Sequence, residues 1–188
     1  MATKLTTGKV RFSFPTLVEP KAMDGGAPKY SIQLLIPKSD TATVNKINEA
    51  MKEAAERFRQ KNGQSSLPAN PVTPLHDGDG VKPNTGEPYG PECKGCWVMS
   101  ASASESQRPV VVDAFRNEVD ASTIYAGCYG RASINFYGYS NRRKGIGCGL
   151  LAVQFLTDGE PFGTVGSAND FDDDYAEYEA VSELDDIM

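Results

Sequence analysis

Residues 124–139 constrain the fold most, because their side chains sort by parity into two different sets. Successive side chains of a β-strand point to opposite faces of the sheet. The even positions are small or aliphatic and suit a packed interior. The odd positions are Tyr125, Gly127, Tyr129, Arg131, Ser133, Asn135, Tyr137 and Tyr139. The segment is therefore expected to be a strand with one core face and one functional face.

The rest of the chain indicates several short strands and a single helix. Strand-like alternation occurs in residues 10–14, where Pro15 is expected to end the strand, and again in 29–37, 96–103, 108–113 and 145–156. Apolar residues at three- and four-residue spacing predict an amphipathic helix over about 40–61, capped by Ser39 or Asp40 and stopped by Gly63. The fold class is mainly β, a small Greek-key β-barrel with one inserted helix.

Residues 62–92 show neither the alternation of a strand nor the three- and four-residue spacing of a helix, and they contain half of the twelve prolines. They predict a long irregular connection, a feature that is uncommon inside a compact domain unless the loop binds something or is partly disordered.

Charge is segregated along the chain. No lysine or arginine follows Lys144, and residues 170–188 contain nine carboxylates, so residues 1–169 carry a net charge of +3 although the whole chain carries -6. We expect a folded domain over 1–169 and a disordered acidic C-terminal tail over 170–188. The tail ends in Leu184, Asp185, Asp186, Ile187 and Met188, which suit a basic groove with an apolar pocket on a partner protein. A tail that only improves solubility remains the alternative.

A cationic body with an anionic tail favours a protein that binds and releases a polyanion. Tyrosine rings can stack on unpaired bases, and cations can contact phosphates. The candidate DNA-binding residues are Lys9, Arg11, Tyr125, Tyr129, Arg131, Asn135, Tyr137 and Tyr139, with Arg142, Arg143 and Lys144 at the predicted hairpin tip. The alternative is structural: outward tyrosines can simply cover a second layer of protein.

Several segments, taken in order, resemble one known family. They are residues 10–15, 30–40, 95–102, 108–113, 125–129 and 149–155. Together they are similar to the phage-encoded OB-fold single-stranded DNA-binding proteins, a family first catalogued as a domain of unknown function. The resemblance implies sequence-tolerant binding of single-stranded DNA in replication, recombination and repair. It also implies an acidic tail that competes with DNA and recruits phage or host replication and recombination proteins.

The remaining motifs indicate no cofactor and no enzyme. Cys93 and Cys96 have zinc-knuckle spacing, and Cys128, Cys148 or His76 could complete a site, but a second paired motif is missing. We therefore predict no metal. The alternative functions are an acidic DNA-mimic inhibitor of a host DNA-processing enzyme and a zinc-dependent nucleic-acid enzyme.

The sequence indicates where in the cell the protein is found, but not how it assembles. No apolar run suggests a signal peptide or a membrane span, so we expect a cytoplasmic protein of the phage-infected bacterial cell with no membrane partner. The sequence leaves open whether the chain forms a homo-oligomer.

Overall fold

The computed structural model describes residues 2–22, 26–141, 143–162 and 170–171 of the chain. One α-helix and eight strands lie in these ranges. They are β1 (Lys4–Thr6), β2 (Val10–Lys21), β3 (Lys29–Pro37), α1 (Thr41–Asn62), β4 (Leu75–Asp77), β5 (Cys96–Ser104), β6 (Val110–Val112), β7 (Tyr129–Ser140) and β8 (Lys144–Thr157). Short 3-10 turns occupy Gln64–Ser66, Pro91–Cys93 and Ala121–Thr123. Within the described residues, no helix is both long and apolar enough to cross a membrane.

Five strands pair in a closed ring, which is the arrangement that the predicted barrel requires. β3 pairs with β2 and β5, β7 pairs with β2 and β8, and all four pairings are antiparallel. A parallel pairing of β5 with β8 completes the ring. β1, β6 and β4 extend it beside β7, β8 and β5. The predicted mainly β fold with one helix is confirmed.

The even face of β7 lies in the core, as the parity of the sequence predicts. Ala132, Ile134 and Phe136 are buried, while Arg131 and Tyr137 on the other face are exposed. The opposing core residues come from β2, β3, β5 and β8, and include Phe12, Ile32, Leu34, Met99 and Val153.

Helix α1 covers one part of this core. Its buried residues include Ile47, Met51 and Ala54, which lie on the apolar stripe that the sequence predicts. Asp40 is the N-cap, since its carboxylate accepts a hydrogen bond from the backbone N–H of Thr43. Gly63 ends the helix with φ of 100°, in the left-handed range that suits glycine.

The expectation that Pro15 ends its strand is wrong, because β2 continues to Lys21. The pairing register of β2 with β3 shifts between Ser13 and Thr16, so a bulge absorbs the proline. A bulge also reverses which face the following side chains occupy. Phe14 is consequently exposed and Leu17 is buried, the opposite of simple alternation from Val10.

Two other segments differ from their predicted form. Residues 124–128 precede β7 rather than belong to it, because Gly127 has φ of 112° and the N–H of Cys128 bonds to the carbonyl of Tyr125 in a turn. Residues 62–92 include strand β4 and a bridge from Val72 to Gly145, so this connection is less irregular than its composition indicates. The predicted acidic tail lies outside the described residues, apart from Asp170 and Phe171.

Candidate functional site

Small polar side chains form a continuous row around the outer wall of the ring. In the pairing register, Thr16 lies beside Ser31, Ser31 beside Ser102 and Ser102 beside Gly149. The row continues from Gly149 to Asn135 and ends at Lys4 of β1. Paired residues project to the same face of a sheet, so the row crosses six strands over roughly 24 Å at about 4.8 Å per strand. It is long enough to accommodate a linear ligand.

The side chains of two tyrosines of β7 lie over β8, where glycine occupies each opposing position. Tyr137 pairs with Gly147, and a Cβ at Gly147 would lie 2.6 Å from Cζ of Tyr137. Tyr139 pairs with Gly145, and there a Cβ would lie 2.9 Å from the tyrosine hydroxyl. Asn135 covers Gly149 in the same way. We call Tyr137, Tyr139 and the glycines beneath them the tyrosine platform.

The ring of Tyr137 is available for stacking. Its side chain is 44% exposed, although desolvation raises the pKa of its hydroxyl above the ordinary value. Arg143 and Lys144 at the adjoining turn are exposed, while Arg142 lies outside the described residues. The platform therefore presents an aromatic face beside two described cations.

Phe14 stands at the centre of a second surface, on the outer face of β2, β3 and β5. It is 72% exposed and has φ of 46°, a conformation that is rare for a bulky residue. A groove of about 670 Å³ on one side of the ring is lined by polar residues of the row and by Lys21 and Lys29. A groove of about 450 Å³ on the other side is lined by Gln33, Ser100 and the segment around Lys82. We call these two spaces together the Phe14 groove.

The row joins the Phe14 groove to the tyrosine platform. Ser31 and Ser102 line the groove, and Gly149 continues the row toward the platform. Because glycine has no side chain, the only row side chain over this junction is that of Asn135, which is small and polar. A ligand can follow the surface from the groove to the platform without crossing a bulky residue of the row.

Near the start of β2, cationic side chains bind carbonyl groups and aromatic rings of the same chain. Arg11 donates hydrogen bonds to the carbonyls of Gly127 and Glu160, and its guanidinium lies 4.3 Å from the ring centroid of Phe162. Lys9 lies 5.0 Å from the ring centroid of Tyr129. These contacts hold residues 158–162 against the barrel, so Arg11 has a structural role in addition to any contact with a ligand.

Tyr125 also contacts this C-terminal segment. Its hydroxyl donates to the carboxylate of Asp158 at 2.7 Å, a contact that raises the pKa of the phenol. The structure therefore separates Tyr125 and Arg11 from Asn135, Tyr137 and Tyr139, although the sequence places all five in one candidate set.

The cysteines lie apart from any cluster that could hold a metal. Cys93 is buried beside Leu35 and Val98, with Cys96 packed against the same group. Burial raises the pKa of Cys93 to about 11, which disfavours the thiolate that binds metal. In the described parts of the chain, no group of three or more histidine, cysteine, aspartate or glutamate residues could hold a metal ion.

Sequence reasoning missed Phe14, Gln33, Ser100 and Ser102 as candidate site residues. The polar side chains gave no signal, since an outward serine or glutamine is ordinary in a half-exposed strand. Phe14 had one available signal, because Pro15 follows it and proline inside a sheet is restricted to edges and bulges. A bulge at this point would have predicted the outward ring.

Comparisons with known proteins agree with this architecture. A model of the family described as "Enterobacter phage Enc34, ssDNA-binding protein" matches residues 3–182. The chain belongs to this family. Protein p50 of Acyrthosiphon pisum secondary endosymbiont phage 1 is 36% identical over 180 residues, which cover 90% of this chain and 93% of p50.

Two solved structures are also similar. The single-stranded DNA-binding protein of bacteriophage Enc34, solved in complex with ssDNA, is 34% identical and superposes with a TM-score of 0.69 over 86% of this chain and 90% of that one. The single-stranded DNA-binding protein gp2.5 of bacteriophage T7 is 16% identical, with a TM-score of 0.57 and 94% of each chain covered. At this identity the second match shows the fold alone.

Proposed function

We propose that this chain binds single-stranded DNA with little sequence preference, along the row that joins the Phe14 groove to the tyrosine platform. The observation that carries the proposal is the unbroken row from Thr16 to Asn135, with an exposed ring on each flank. The solved Enc34 protein, described as a complex with ssDNA, supports the same class of ligand.

The chemistry of the surface favours unpaired bases. Every base has a flat face, and stacking on an aromatic side chain contributes roughly 1 to 3 kcal/mol per base whatever its identity. In a duplex these faces are already stacked on neighbouring base pairs. Phe14 and Tyr137 therefore distinguish single strands from duplex, while the hydroxyls and amides between them accept varied hydrogen-bonding partners.

Cations flank the path at both ends. Lys21 and Lys29 line one part of the Phe14 groove, Lys82 lines the other, and Arg143 and Lys144 adjoin the tyrosine platform. Contacts of this kind release counterions, so log affinity should fall by about 0.7 per unit of log salt for each phosphate neutralised. We further propose that Lys9, Arg11, Tyr125, Tyr129 and Arg131 support or extend the binding surface.

The biological role follows from sequence-tolerant coating. A protein of this kind protects and organises single strands during replication, recombination and repair in the phage-infected bacterial cell, and needs neither a catalytic residue nor a cofactor. The acidic tail, residues 170–188, competes with DNA for the cationic surface. Its last residues, Leu184 to Met188, recruit replication and recombination proteins.

If the tail both competes with DNA and recruits partner proteins, its deletion should strengthen DNA binding and abolish partner binding. Deleting residues 170–188 removes nine carboxylates, so affinity for oligothymidylate should increase at low salt while binding to partner proteins is lost. Fluorescence titration of the full and truncated chains measures the first effect. An affinity that does not change on truncation contradicts competition by the tail.

A charge placed in the middle of the row tests the path itself. Ser102→Glu puts a carboxylate where the phosphodiester backbone would pass, and we expect roughly a tenfold loss of affinity, or about 1.4 kcal/mol. The loss should shrink as salt rises, because the repulsion is screened. Ser65→Glu, on an exposed turn away from the row, is the matched control. Equal affinity of the two variants would show that DNA does not cross Ser102.

A further inference from the structure

A cationic cleft lies between β1, β7 and the helix, at the end of the polar row. It has a volume of about 380 Å³ and is lined by Lys4 and Thr6 of β1, Lys46 and Glu49 of α1, and Arg131 of β7. Lys4 is also the last residue of the row, because it pairs with Asn135. The cleft therefore continues the path proposed for DNA onto the helical side of the molecule.

The cations of the cleft are not neutralised by ion pairs in the described part of the chain. No described carboxylate oxygen lies within 4.0 Å of a side-chain nitrogen of Lys4, Lys46 or Arg131. All three residues are exposed. Three cations around one concave space attract an anion more strongly than the same charges spread over a convex surface.

The guanidinium of Arg131 is held in place before any ligand arrives. Its Nε donates to the carbonyl of Thr7 at 2.8 Å, and Thr7 is fully buried. The hydroxyl of Thr7 in turn accepts a hydrogen bond from the N–H of Ala132, the next residue of β7. This anchoring uses one donor of the guanidinium, and the two Nη groups remain to bind the paired oxygens of a phosphate.

We propose that this cleft binds backbone phosphate of the DNA strand after it passes Asn135. The inference rests on the proposed function and extends the binding path beyond the aromatic surfaces. None of the described residues that line the cleft is aromatic, so this end of the path binds the backbone and reads no base. The path then runs from base stacking at Phe14 and Tyr137 to purely electrostatic contact at the helix.

The negative charge of Glu49 disfavours the binding of phosphate in the cleft. Its carboxylate lines the same space as the three cations and forms no ion pair with them within 4.0 Å. A phosphate in the cleft would be repelled by this charge. Removing the charge should therefore strengthen DNA binding, an outcome that damage to the fold cannot imitate.

The first test uses Glu49→Gln in the full chain, with oligothymidylate as the probe. We expect affinity to increase about two- to fivefold at low salt and the gain to vanish at high salt. Glu56→Gln is the control, because it makes the same charge change two helical turns away, about 10.5 Å along the axis. Equal effects of the two variants would show that the change in net charge alone explains the result, which would overturn the proposal.

The second test removes the cations. Lys4→Gln combined with Lys46→Gln should lower the salt slope of DNA binding by about 0.7 to 1.4, for one or two phosphates lost. With oligothymidylates of increasing length, the double variant should also reach its maximal affinity at a shorter length than the unmodified chain. Lys52→Gln combined with Lys61→Gln, on exposed positions of α1 outside the cleft, is the control.

The two hypotheses fail in different ways. If the unmodified chain does not bind oligothymidylate, the proposed function is wrong. If it binds, but the Lys4 and Lys46 double variant keeps the original salt slope and length dependence, only the phosphate cleft is wrong.

Discussion

Phe14 has an exposed aromatic ring and a left-handed backbone conformation that is unfavourable for a bulky side chain. Left-handed backbone costs roughly 1–3 kcal/mol for a residue other than glycine, and such strain is concentrated at functional sites. The ring is 72% exposed, so burial of apolar surface offsets little of this cost. The orientation of the ring between two grooves is a reason for keeping phenylalanine at this position.

Replacing Phe14 separates binding from stability. Phe14→Asn should weaken binding of oligothymidylate about tenfold or more, as the loss of one stacked base predicts, while thermal stability stays equal or increases, because asparagine tolerates left-handed backbone. Titration and thermal unfolding of the same sample measure both effects. Phe115→Asn is the control, since Phe115 is also exposed, at 83%, and lies outside the groove. A clear loss of stability without loss of affinity would make Phe14 a structural residue.

The glycines of β8 provide a second residue-level prediction. Gly147→Val places side-chain atoms where the ring of Tyr137 now lies, so the ring must move off the platform. We expect weaker DNA binding with the barrel still folded, checked by titration and circular dichroism. Tyr137→Phe keeps the ring and should bind like the unmodified chain, whereas Tyr137→Ala should resemble Gly147→Val. Full affinity in Tyr137→Ala would remove the platform from the binding site.

The candidate site is predictable from sequence where alternation along a single strand determines which side chains share a face. Alternation across residues 129–139 correctly separates the buried face of β7 from the face with Asn135, Tyr137 and Tyr139. The Phe14 groove is not predictable in this way, because it depends on a bulge and on which strands become neighbours. The glycines of β8 indicate close approach in the sequence, but only the register shows that tyrosine rings approach them.

Among the elements, the connection between α1 and β5 contacts one lysine through two of its carboxylates. Lys38 Nζ lies 2.6 Å from the carboxylate of Asp77 and 2.7 Å from that of Asp79, and it stands 5.1 Å from the ring centroid of Trp97. Asp79 also accepts a hydrogen bond from the N–H of Gly95. These contacts, which we call the Lys38 clamp, fix the segment that forms one wall of the Phe14 groove.

The clamp predicts a defined pH dependence. Hydrogen bonding to Lys38 lowers the pKa of Asp77 and Asp79, so their stabilising contribution is present above the ordinary value of 3.8 and is lost as pH falls through the lowered pKa. The same bonds raise the pKa of Lys38, so its contribution is lost only as pH rises through a value above 10.5. Trp97 fluorescence should therefore be constant near neutral pH and change at both extremes.

Removing the lysine tests this account of the connection. In Lys38→Met the change in Trp97 fluorescence at acid pH should disappear, and DNA affinity should fall because the wall of the groove is loosened. Trypsin should also cleave faster after the exposed Lys94, which precedes the Gly95 N–H that Asp79 binds. Lys61→Met, at the exposed end of α1, serves as the control. Cleavage at an unchanged rate in Lys38→Met would show that other contacts hold the segment.

The elements themselves were predictable to different degrees. β3 matches its predicted bounds and α1 differs by a residue at each end, because each has a clear period and defined stop signals. β1 and β4 have three residues each, too few to show a period, and they depend on β7 and β5 for their hydrogen bonds. Short strands of this kind form only because a longer neighbour offers an unpaired edge.

At the scale of the whole molecule, closure of the ring decides which surfaces meet. The parallel pairing of Ser102 with Gly149 brings the Phe14 groove and the tyrosine platform onto one wall, although Phe14 and Tyr137 are more than a hundred positions apart in sequence. Segregation of charge adds a second level of organisation, because the cationic surfaces belong to residues 1–169 and the carboxylates of the tail follow them. We therefore expect one binding path for a single strand, opposed by the tail.

Titration of the full chain with oligothymidylate and with duplex DNA of equal length, at low salt, tests this claim most directly. Stacking on Phe14 and Tyr137 predicts that the single strand quenches the intrinsic tyrosine and tryptophan fluorescence and binds at least tenfold tighter than the duplex. Its log affinity should fall linearly with log salt. Equal affinity for the two forms of DNA, or no binding to either, would contradict the account.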